Sequence, residues 1–288
     1  MVASQRAAMN DQRQEGAAVG AATAPEAQAS SLVKGALTVR DLTLARGSRT
    51  LVAGLGQGFL PGQIWCIAGP NGAGKTTLIE SLAGLHQAWQ GMIELDGRAL
   101  SLWPAAALAR RRAWLPQTQQ DIFSARVLEI VLLGRYPHLV GWGWETAEDH
   151  LAAWAALDIF GLAPLATRDV MSLSGGERQR VALAAVLCQE APLLLLDEPL
   201  AHLDLPYQID CLQHLRSWVG GAPRTVIFSC HDLNLARRFA THALLLDGKG
   251  SAYSGLVQDI LSPRLVSRVF NHPFRLLRDA EQEALVPV

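Results

Sequence analysis

Residues 69–76 read Gly-Pro-Asn-Gly-Ala-Gly-Lys-Thr, which matches the pattern G-x-x-x-x-G-K-[ST]. They lie between a short apolar run at 64–68, which predicts a buried strand, and a stretch from about 75 to 85 that predicts a helix. Such a turn exposes backbone N–H groups that cradle phosphates, while the lysine supplies positive charge to the β/γ oxygens and the threonine hydroxyl is placed for Mg²⁺. We therefore predict a nucleotide-phosphate site at Gly69, Asn71, Gly72, Gly74, Lys75, Thr76 and Thr77, with Thr76 also a Mg²⁺ ligand.

Residues 173–180 read Leu-Ser-Gly-Gly-Glu-Arg-Gln-Arg and precede an apolar stretch that predicts a buried helix. Ser174 and Glu177 fit the capping box S-x-x-E, in which each side chain bonds to the other residue's backbone N–H. A cap does not account for Gly175 and Gly176, because glycine costs about 1 kcal/mol relative to alanine in a helix. Bare glycines at a helix N-terminus leave N–H groups for an anion. The segment predicts either a capped structural helix or a second phosphate contact.

The apolar strand Leu193–Leu196 is followed directly by two carboxylates, Asp197 and Glu198. Carboxyl ends of parallel strands line the crevice in which α/β sheets bind ligands. Asp197 can orient Mg²⁺ through water there. Glu198 can polarise an attacking water as a general base, a role that contributes about 10²–10⁴-fold. Seen alone, the pair also fits a strand that ends in solvated acids.

Two further polar residues come after predicted strands. His231 follows the strand Thr225–Ser229 and is expected to open a helix, and Gln117 closes a short strand. Each residue alone fits a structural role. Beside a phosphate loop and a strand-end glutamate, His231 is better explained as a γ-phosphate contact. Gln117 can act near Mg²⁺ and the attacking water.

Composition limits the class of protein. The chain has 288 residues, 50% hydrophobic and 18% charged, which suits one large α/β domain or two small ones. A formal net charge of −1 gives no electrostatic support for nucleic-acid binding. No apolar run approaches the roughly 20 residues needed to cross a bilayer, so we expect any membrane role to come through a partner. The four cysteines stand singly, which disfavours zinc or disulfide chemistry and suits buried thiols in a reducing compartment.

Hydrophobic periodicity divides the chain into regions. Residues 1–35 lack periodicity and predict a disordered extension rather than a secretory signal. Alternation from residue 37 predicts antiparallel strands, residues 117–175 turn helical, and apolar strands then alternate with helices. We predict an α/β fold at 36–288. It has a parallel core that carries the phosphate loop, an antiparallel β subdomain, and a helical subdomain at about 117–175.

The order of these features resembles that in the ABC ATPases. The phosphate loop, Gln117, the 173–180 segment, the strand-end acids, Asp204 and His231 follow one another as in that family, over roughly residues 36–260. The resemblance implies a P-loop NTPase core of ABC type that hydrolyses ATP with Mg²⁺ as cofactor.

The resemblance also implies a role for each matching residue. Glu198 activates water, His231 holds the γ-phosphate, and Gln117 senses that phosphate and links to the transport subunit. Three residues would hold Mg²⁺: Thr76, Gln117 and Asp197. The ATP of a partner subunit would be clasped by Ser174, Gly175 and Gly176, and Asp204 would lie in a loop that crosses the dimer interface.

One departure from the family concerns the first hairpin. Members usually carry an aromatic residue that stacks on adenine shortly before a glycine, whereas this chain has Ala45-Arg46-Gly47. The planar guanidinium of Arg46 can stack on a base. An exposed turn arginine explains the residue as well, so both interpretations stay open.

Among ABC proteins, the chain resembles a transport subunit. Repair and chromosome types carry long coiled-coil or zinc insertions, and translation factors carry two such domains. A soluble ATPase of iron–sulfur assembly stays an alternative, although its signature usually resembles FSGGEKKR. Residues 133–138, Leu-Gly-Arg-Tyr-Pro-His, resemble a G-R-x-P-H run of importers for iron chelates, haem and cobalamin. In that family this neighbourhood docks a helix of the membrane subunit, so the resemblance implies that Arg135 contributes to docking. An ordinary helix end at Gly134 is the alternative.

The importer resemblance implies partners and a location. We expect a homodimer of ATPase subunits, two membrane permease subunits and, through the permease, a periplasmic or extracellular binding protein. No nucleic acid is expected. The chain would lie peripherally on the cytoplasmic face of the inner membrane. The substrate would be a ferric siderophore, cobalamin or haem, and the sequence does not choose among them.

Overall fold

The computed structural model describes residues 35–86, 90–117, 124–139, 143–279 and 283–288. All of these belong to one compact unit. The predicted disordered extension, apart from Gly35, lies outside the described residues and stays a prediction. Part of the Trp/Gly-rich loop at 141–144 lies outside them as well.

Strands and helices alternate along most of the described chain. The strands are β1 (Leu37–Arg46), β2 (Arg49–Phe59), β3 (Ile64–Ala68), β4 (Gln90–Leu95), β5 (Arg98–Ala99), β6 (Arg112–Leu115), β7 (Leu193–Leu196), β8 (Thr225–Ser229), β9 (His242–Leu246), β10 (Ala252–Leu256), β11 (Phe274–Arg278) and β12 (Glu283–Pro287). The helices are α1 (Lys75–Leu82), α2 (Ala105–Ala109), α3 (Val127–Leu132), α4 (Ala147–Ile159), α5 (Gly175–Cys188), α6 (Leu205–Gly220), α7 (Leu233–Phe239), α8 (Val257–Ile260) and α9 (Pro263–Phe270). Short 3₁₀ turns span Leu100–Leu102, Leu133–His138, Ala163–Leu165 and Val170–Ser172.

The central sheet has the strand order β10-β9-β3-β8-β7-β6. The strands from β9 to β6 are parallel, and β10 pairs antiparallel with β9 at the edge. A second, antiparallel sheet has the order β2-β1-β4-β5, and β11 and β12 form a separate hairpin. The predicted α/β class is confirmed, with its parallel core and antiparallel sheet near the N-terminal side.

Both faces of the central sheet are covered. Along β7, Leu193 and Leu195 join the apolar cluster shared with α1 and the antiparallel sheet, while Leu194 and Leu196 join the cluster shared with α5 and α6. All four side chains are fully buried, as expected for a parallel strand with layers on both sides. The four cysteines are buried and free, as predicted.

The end of α1 differs from the one predicted, at about residue 85. α1 ends at Leu82 because Leu85 N–H donates to the Glu80 carbonyl at 2.8 Å, which closes the helix with a Schellman-type bond. α3 ends at Leu132 and continues as the 3₁₀ turn with Pro137 inside it. Helices α3, α4 and α5 pack on one another, and the bounds of a helical subdomain stay a prediction. No helix within the described ranges is long and apolar enough to span a bilayer.

Candidate functional site

Four neighbouring strands end at one edge of the central sheet. β3 leads into the phosphate loop, β8 to His231, β7 to Asp197 and Glu198, and β6 to Gln117. Since these strands are adjacent and parallel, in the order β3-β8-β7-β6, their polar ends lie side by side. They surround a cleft of about 450 Å³. Nine predicted site residues line it: Asn71, Gly72, Gly74, Lys75, Thr76, Thr77, Gln117, Glu198 and His231.

Lys75 is the buried cation of the cleft, with 6% of its surface exposed. Its Nζ donates to the Gly69 carbonyl oxygen at 3.0 Å. Burial lowers the pKa of Lys75, while the nearby carboxylates of Glu198 and Asp197 act in the opposite direction. The ammonium is therefore held among oxygen atoms at the base of a polar cleft, where it can neutralise a phosphate.

The phosphate loop passes close to the end of β9. Gly69 has φ +148, and a Cβ atom there would lie 2.4 Å from the Leu246 carbonyl oxygen, so only glycine fits. Gly69 does not line the cleft, and its carbonyl accepts from Lys75 Nζ, so its predicted phosphate contact stays a prediction. α1 starts at Lys75 after Gly74, which provides no side-chain cap, so the first N–H groups of the helix stay available for an anion.

Asp197 and Glu198 are fixed by backbone and side-chain bonds. Asp197 is 2% exposed, and its Oδ1 accepts from the Ser229 hydroxyl at 2.6 Å. Glu198 adopts φ +48, in the left-handed region, where a residue other than glycine costs about 1–3 kcal/mol. Its backbone N–H donates to Ser229 Oγ at 2.7 Å. A strained residue that lines the cleft is a common feature of functional sites.

His231 faces Glu198 across the cleft. Its Nε2 lies 2.8 Å from Glu198 Oε1, close enough for a hydrogen bond when Nε2 carries a proton. The expectation that His231 opens a helix was wrong. Asp232 is the N-cap of α7, because its carboxylate accepts from the backbone N–H groups of Asn234 and Leu235. His231 thus precedes the helix, which leaves its ring free to face the cleft.

The residues predicted to hold Mg²⁺ fit that ion. Thr76, which carries a hydroxyl, and Gln117, which carries an amide, line the cleft. Asp197 Oδ2 is buried without a hydrogen-bond partner, as a carboxylate oxygen kept for a cation would be. All these donors are oxygen atoms, which Mg²⁺ prefers, and water and phosphate usually complete its shell. The described residues contain no group of three or more His, Cys, Asp or Glu suited to a metal.

The 173–180 segment forms the predicted capping box. Ser174 Oγ accepts from Glu177 N–H at 3.2 Å, and Glu177 Oε2 accepts from Ser174 N–H at 2.8 Å. These bonds lower the pKa of Glu177. A Cβ on Gly176 would lie 2.9 Å from the His202 carbonyl oxygen, whereas one on Gly175 would meet only an ordinary contact at 3.9 Å. Packing within the chain therefore explains why position 176 is a glycine, but it does not explain the glycine at position 175.

The segment is separated from the cleft that contains Lys75. Ser174 and Gly175 are exposed, and Gly176 is half-buried. Asp204, also exposed, is the N-cap residue of α6 without a side-chain cap bond. None of the four lines the Lys75 cleft. The predicted site residues therefore form two groups on this chain: one around Lys75 and one at the start of α5 and α6.

Arg46 lies at the end of β1 and lines the same cleft as Lys75. It is exposed, so its guanidinium is free to meet a bound molecule. This position fits the predicted stacking of the Arg46 guanidinium on a base, which stays a prediction.

Arg135 is a buried residue, and the expectation that it docks a partner was wrong. It is 7% exposed and pairs with Asp149 Oδ1 at 2.8 Å and Glu190 Oε2 at 2.7 Å. It also donates to the Cys188 carbonyl at 3.0 Å. The neighbouring Tyr136, in contrast, is 75% exposed. Within this run, Arg135 ties the 3₁₀ turn to α4 and α5, and Leu133 and Tyr136 are the side chains open to a partner.

Two residues of the site were missed by sequence reasoning. Ser229 ends the apolar strand β8 two residues before His231, and a buried polar residue at a strand end could have drawn notice. His202, whose carbonyl approaches Gly176, has φ +63 and gives no signal in the sequence.

The chain is similar in sequence to known proteins. A family model described as ABC transporter matches residues 54–201. The hemin import ATP-binding protein HmuV of Pseudomonas fluorescens is 41% identical, over 81% of this chain and 92% of that protein. The achromobactin transport ATP-binding protein CbrD of Dickeya dadantii is 37% identical, over 85% and 91%. The iron(3+)-hydroxamate import ATP-binding protein FhuC of Bacillus subtilis is 34% identical, over 84% and 90%.

Solved structures agree with these relatives. An inward-facing structure assigned to the metal-chelate type of ABC transporter superposes with a TM-score of 0.76 at 31% identity, covering 88% of this chain and 97% of that chain. A nucleotide-free ATP-binding cassette from an ABC transporter superposes with a TM-score of 0.70 over 81% and 98%. At 22% identity, the second likeness supports the fold alone.

Proposed function

The chain belongs to the ABC transporter family, as an ATP-binding subunit that hydrolyses ATP, and we propose that it powers the import of an iron chelate, either haem or a ferric siderophore. The observation that carries the substrate class is the 34–41% identity, over more than four fifths of the chain, to the relatives named for hemin, achromobactin and iron(3+)-hydroxamate transport.

In this proposal the ATP phosphates lie along the phosphate loop. The ammonium of Lys75 neutralises the β/γ oxygens, and the free N–H groups at the start of α1 bind them. Thr76 and Gln117 would hold Mg²⁺, and Asp197 would orient it. When bound, Mg²⁺ neutralises the charge that develops on the phosphate oxygens.

Hydrolysis proceeds by in-line attack of water on the γ-phosphorus. The bond from phosphorus to the ADP oxygen breaks as the water oxygen binds, and Glu198 takes the water proton. His231, 2.8 Å from that carboxylate, holds the γ-phosphate and keeps Glu198 aimed at the water. Catalysis is mainly positional and electrostatic, since the chain provides no covalent nucleophile in this scheme.

Two copies of the chain form the working unit. Ser174, Gly175 and Asp204 are exposed and lie outside the Lys75 cleft, so a single chain covers bound ATP from one side. A second copy, placed head to tail, supplies its Ser174 group to the ATP held by the first. Each chain then contributes to two ATP sites. Closure of the dimer on ATP provides the movement that drives the membrane subunits.

The dimer acts on membrane subunits. Two permease subunits bind it at the cytoplasmic face of the inner membrane, with the exposed Tyr136 among the contacts. A periplasmic or extracellular binding protein delivers the chelate to the permease. Nucleic acid takes no part.

Reconstitution tests this proposal. The chain is combined with its cognate permease and binding protein in proteoliposomes, and ATP-driven uptake of haem, a ferric siderophore and cobalamin is measured. We expect uptake of haem or the siderophore, lost in a Lys75→Ala control. Uptake of cobalamin alone would contradict the proposed iron chelate and identify cobalamin as the substrate. Co-purification with soluble scaffold proteins and not with membranes would overturn the transport function in favour of an assembly ATPase.

A further inference from the structure

Ser229 is a fully buried serine that touches both strand-end acids. It closes β8, one strand over from the end of β7, and has no exposed surface. Its hydroxyl donates to Asp197 Oδ1 at 2.6 Å and accepts from the backbone N–H of Glu198 at 2.7 Å. One hydroxyl thus satisfies groups on two consecutive residues of the neighbouring strand.

The two bonds fix different parts of the two acids: the side chain of Asp197 and the backbone of Glu198. With Oδ1 bound to Ser229, the carboxylate of Asp197 is fixed in rotation, and its buried Oδ2 remains without a partner. The bond to the Glu198 N–H holds that backbone where φ is +48. This conformation turns the chain sharply after β7, so that Asp197 stays buried while Glu198 lines the cleft and reaches His231.

We propose that Ser229 is a positioning residue for ATP hydrolysis: its hydroxyl orients Asp197 toward Mg²⁺ and holds the backbone turn that places Glu198 in the cleft. The inference rests on the ATPase site described above and names a residue that acts through both acids. Groups that orient metal-site ligands in this way typically change metal affinity or activity by 10–100-fold when removed. A buried serine that only fills space would have no such effect.

The chain offers a matched control on the same strand. Thr225 begins β8, is also fully buried, and donates its hydroxyl to the Gly35 carbonyl at 3.0 Å, at the opposite end from the cleft. Thr225→Val removes that hydroxyl without changing the side-chain volume greatly. Ser229→Ala removes the bridging hydroxyl, and Ser229→Thr restores one at the same position.

The first experiment measures Mn²⁺ binding by electron paramagnetic resonance, with a non-hydrolysable ATP analogue present, alongside thermal unfolding and the kcat and KM for ATP. We expect Ser229→Ala to weaken Mn²⁺ binding by about 10-fold and to lower kcat by about 10–100-fold, with KM for ATP within about twofold of wild type. Ser229→Thr should recover most of both losses. Thr225→Val should leave Mn²⁺ binding and kcat unchanged, and its unfolding temperature shows the effect on stability of losing a buried hydroxyl from this strand.

A double variant tests the route through Asp197. If Ser229 acts on the cation through that carboxylate, adding Ser229→Ala to Asp197→Asn should weaken Mn²⁺ binding no further. Mn²⁺ affinity and kcat of Ser229→Ala that match those of Thr225→Val would overturn the inference. Failure of wild-type uptake in proteoliposomes would remove the proposed transport function instead, and the Mn²⁺ titration would still decide the role of Ser229.

Discussion

The Nε2 atom of His231 lies 2.8 Å from Oε1 of Glu198, and the two residues follow adjacent parallel strands, β8 and β7. The contact joins the residue proposed to hold the γ-phosphate to the one proposed to activate water. The contact is made by two side chains of the same chain, so the fold itself holds them next to each other. Such preorganisation avoids a reorganisation cost when charge develops in the transition state.

Glu198→Gln should abolish steady-state hydrolysis and keep ATP binding. The amide preserves size and can still contact His231, but it cannot take a proton from water, so we expect kcat to fall by about 10²–10⁴-fold. Phosphate release and nucleotide binding are measured in parallel, with Glu94→Gln, a glutamate in the antiparallel sheet, as control. Near-normal phosphate release by Glu198→Gln would remove it from the general-base role.

Arg135→Ala should destabilise the fold and not act on partner docking. Arg135 is buried against Asp149, and removing one partner of a buried ion pair costs about 3–5 kcal/mol. Urea unfolding should show this loss. Tyr136→Ala, at a side chain 75% exposed, should change stability by less than about 0.5 kcal/mol and lower only the coupling of hydrolysis to uptake. Equal stability of Arg135→Ala and wild type would contradict the buried ion pair.

The Asp149 carboxylate makes stability depend on pH. The hydrogen bond from Thr146 N–H, followed by that from Arg135, lowers the pKa of Asp149 from 3.8 to about 2. Because the folded pKa is the lower one, the stabilisation is present above the unfolded pKa and is lost as pH falls from about 5 toward 2, by at most about 2 kcal/mol.

Unfolding free energies at pH 6 and pH 3 test this dependence. The gap between wild type and Asp149→Asn should narrow at pH 3, because the carboxylate then begins to bind a proton when the chain unfolds. Asp259→Asn, at an exposed carboxylate on α8, serves as control. A gap that keeps its size down to pH 3 would mean that Asp149 is not the titrating group.

The fold and most of the cleft were predictable because their signals are local. Leu193–Leu196 is an uninterrupted apolar run and forms a strand buried on both faces. The loop before Lys75 has spacing that only a phosphate site requires, and parallel strand ends meet at one edge. These constraints predict that Lys75, Glu198, His231 and Gln117 lie together, and all four line one cleft.

What could not be predicted depends on distant partners. Arg135 looked exposed beside Tyr136, and its burial is set by Asp149 on α4 and by Glu190 after α5. Ser229 has its partner 32 residues earlier in the chain, on a strand whose neighbour is set by the sheet order. Pairwise contacts of this kind leave no periodic trace in the sequence.

Gly175→Ala and Gly176→Ala should have different effects. A Cβ at position 176 would lie 2.9 Å from the His202 carbonyl, so that alanine must displace the segment before α6 and lower the unfolding temperature. At position 175 the nearest atom is 3.9 Å away, so that alanine should fold normally and helix propensity favours it. If Gly175 contacts the ATP of a second copy, its alanine variant should lose hydrolysis at unchanged stability. Full activity of Gly175→Ala would mean that Gly175 does not contact this ATP, and that any contact comes from other residues of the 173–180 segment.

Mixed dimers test whether each chain holds two half-sites. Lys75 lines the cleft, whereas Ser174 is exposed and lies outside it. Lys75→Ala and Ser174→Arg should each be inactive as pure proteins. In a head-to-tail dimer of a Lys75→Ala chain with a Ser174→Arg chain, one ATP site carries both substitutions and the other carries neither. Hydrolysis should therefore reappear when the two variants are mixed. Mixing wild type with the double variant Lys75→Ala/Ser174→Arg places one defect in every site, so that heterodimer should be inactive. If both residues instead served the ATP of their own chain, the first mixture would stay inactive and the second would retain the wild-type share of activity.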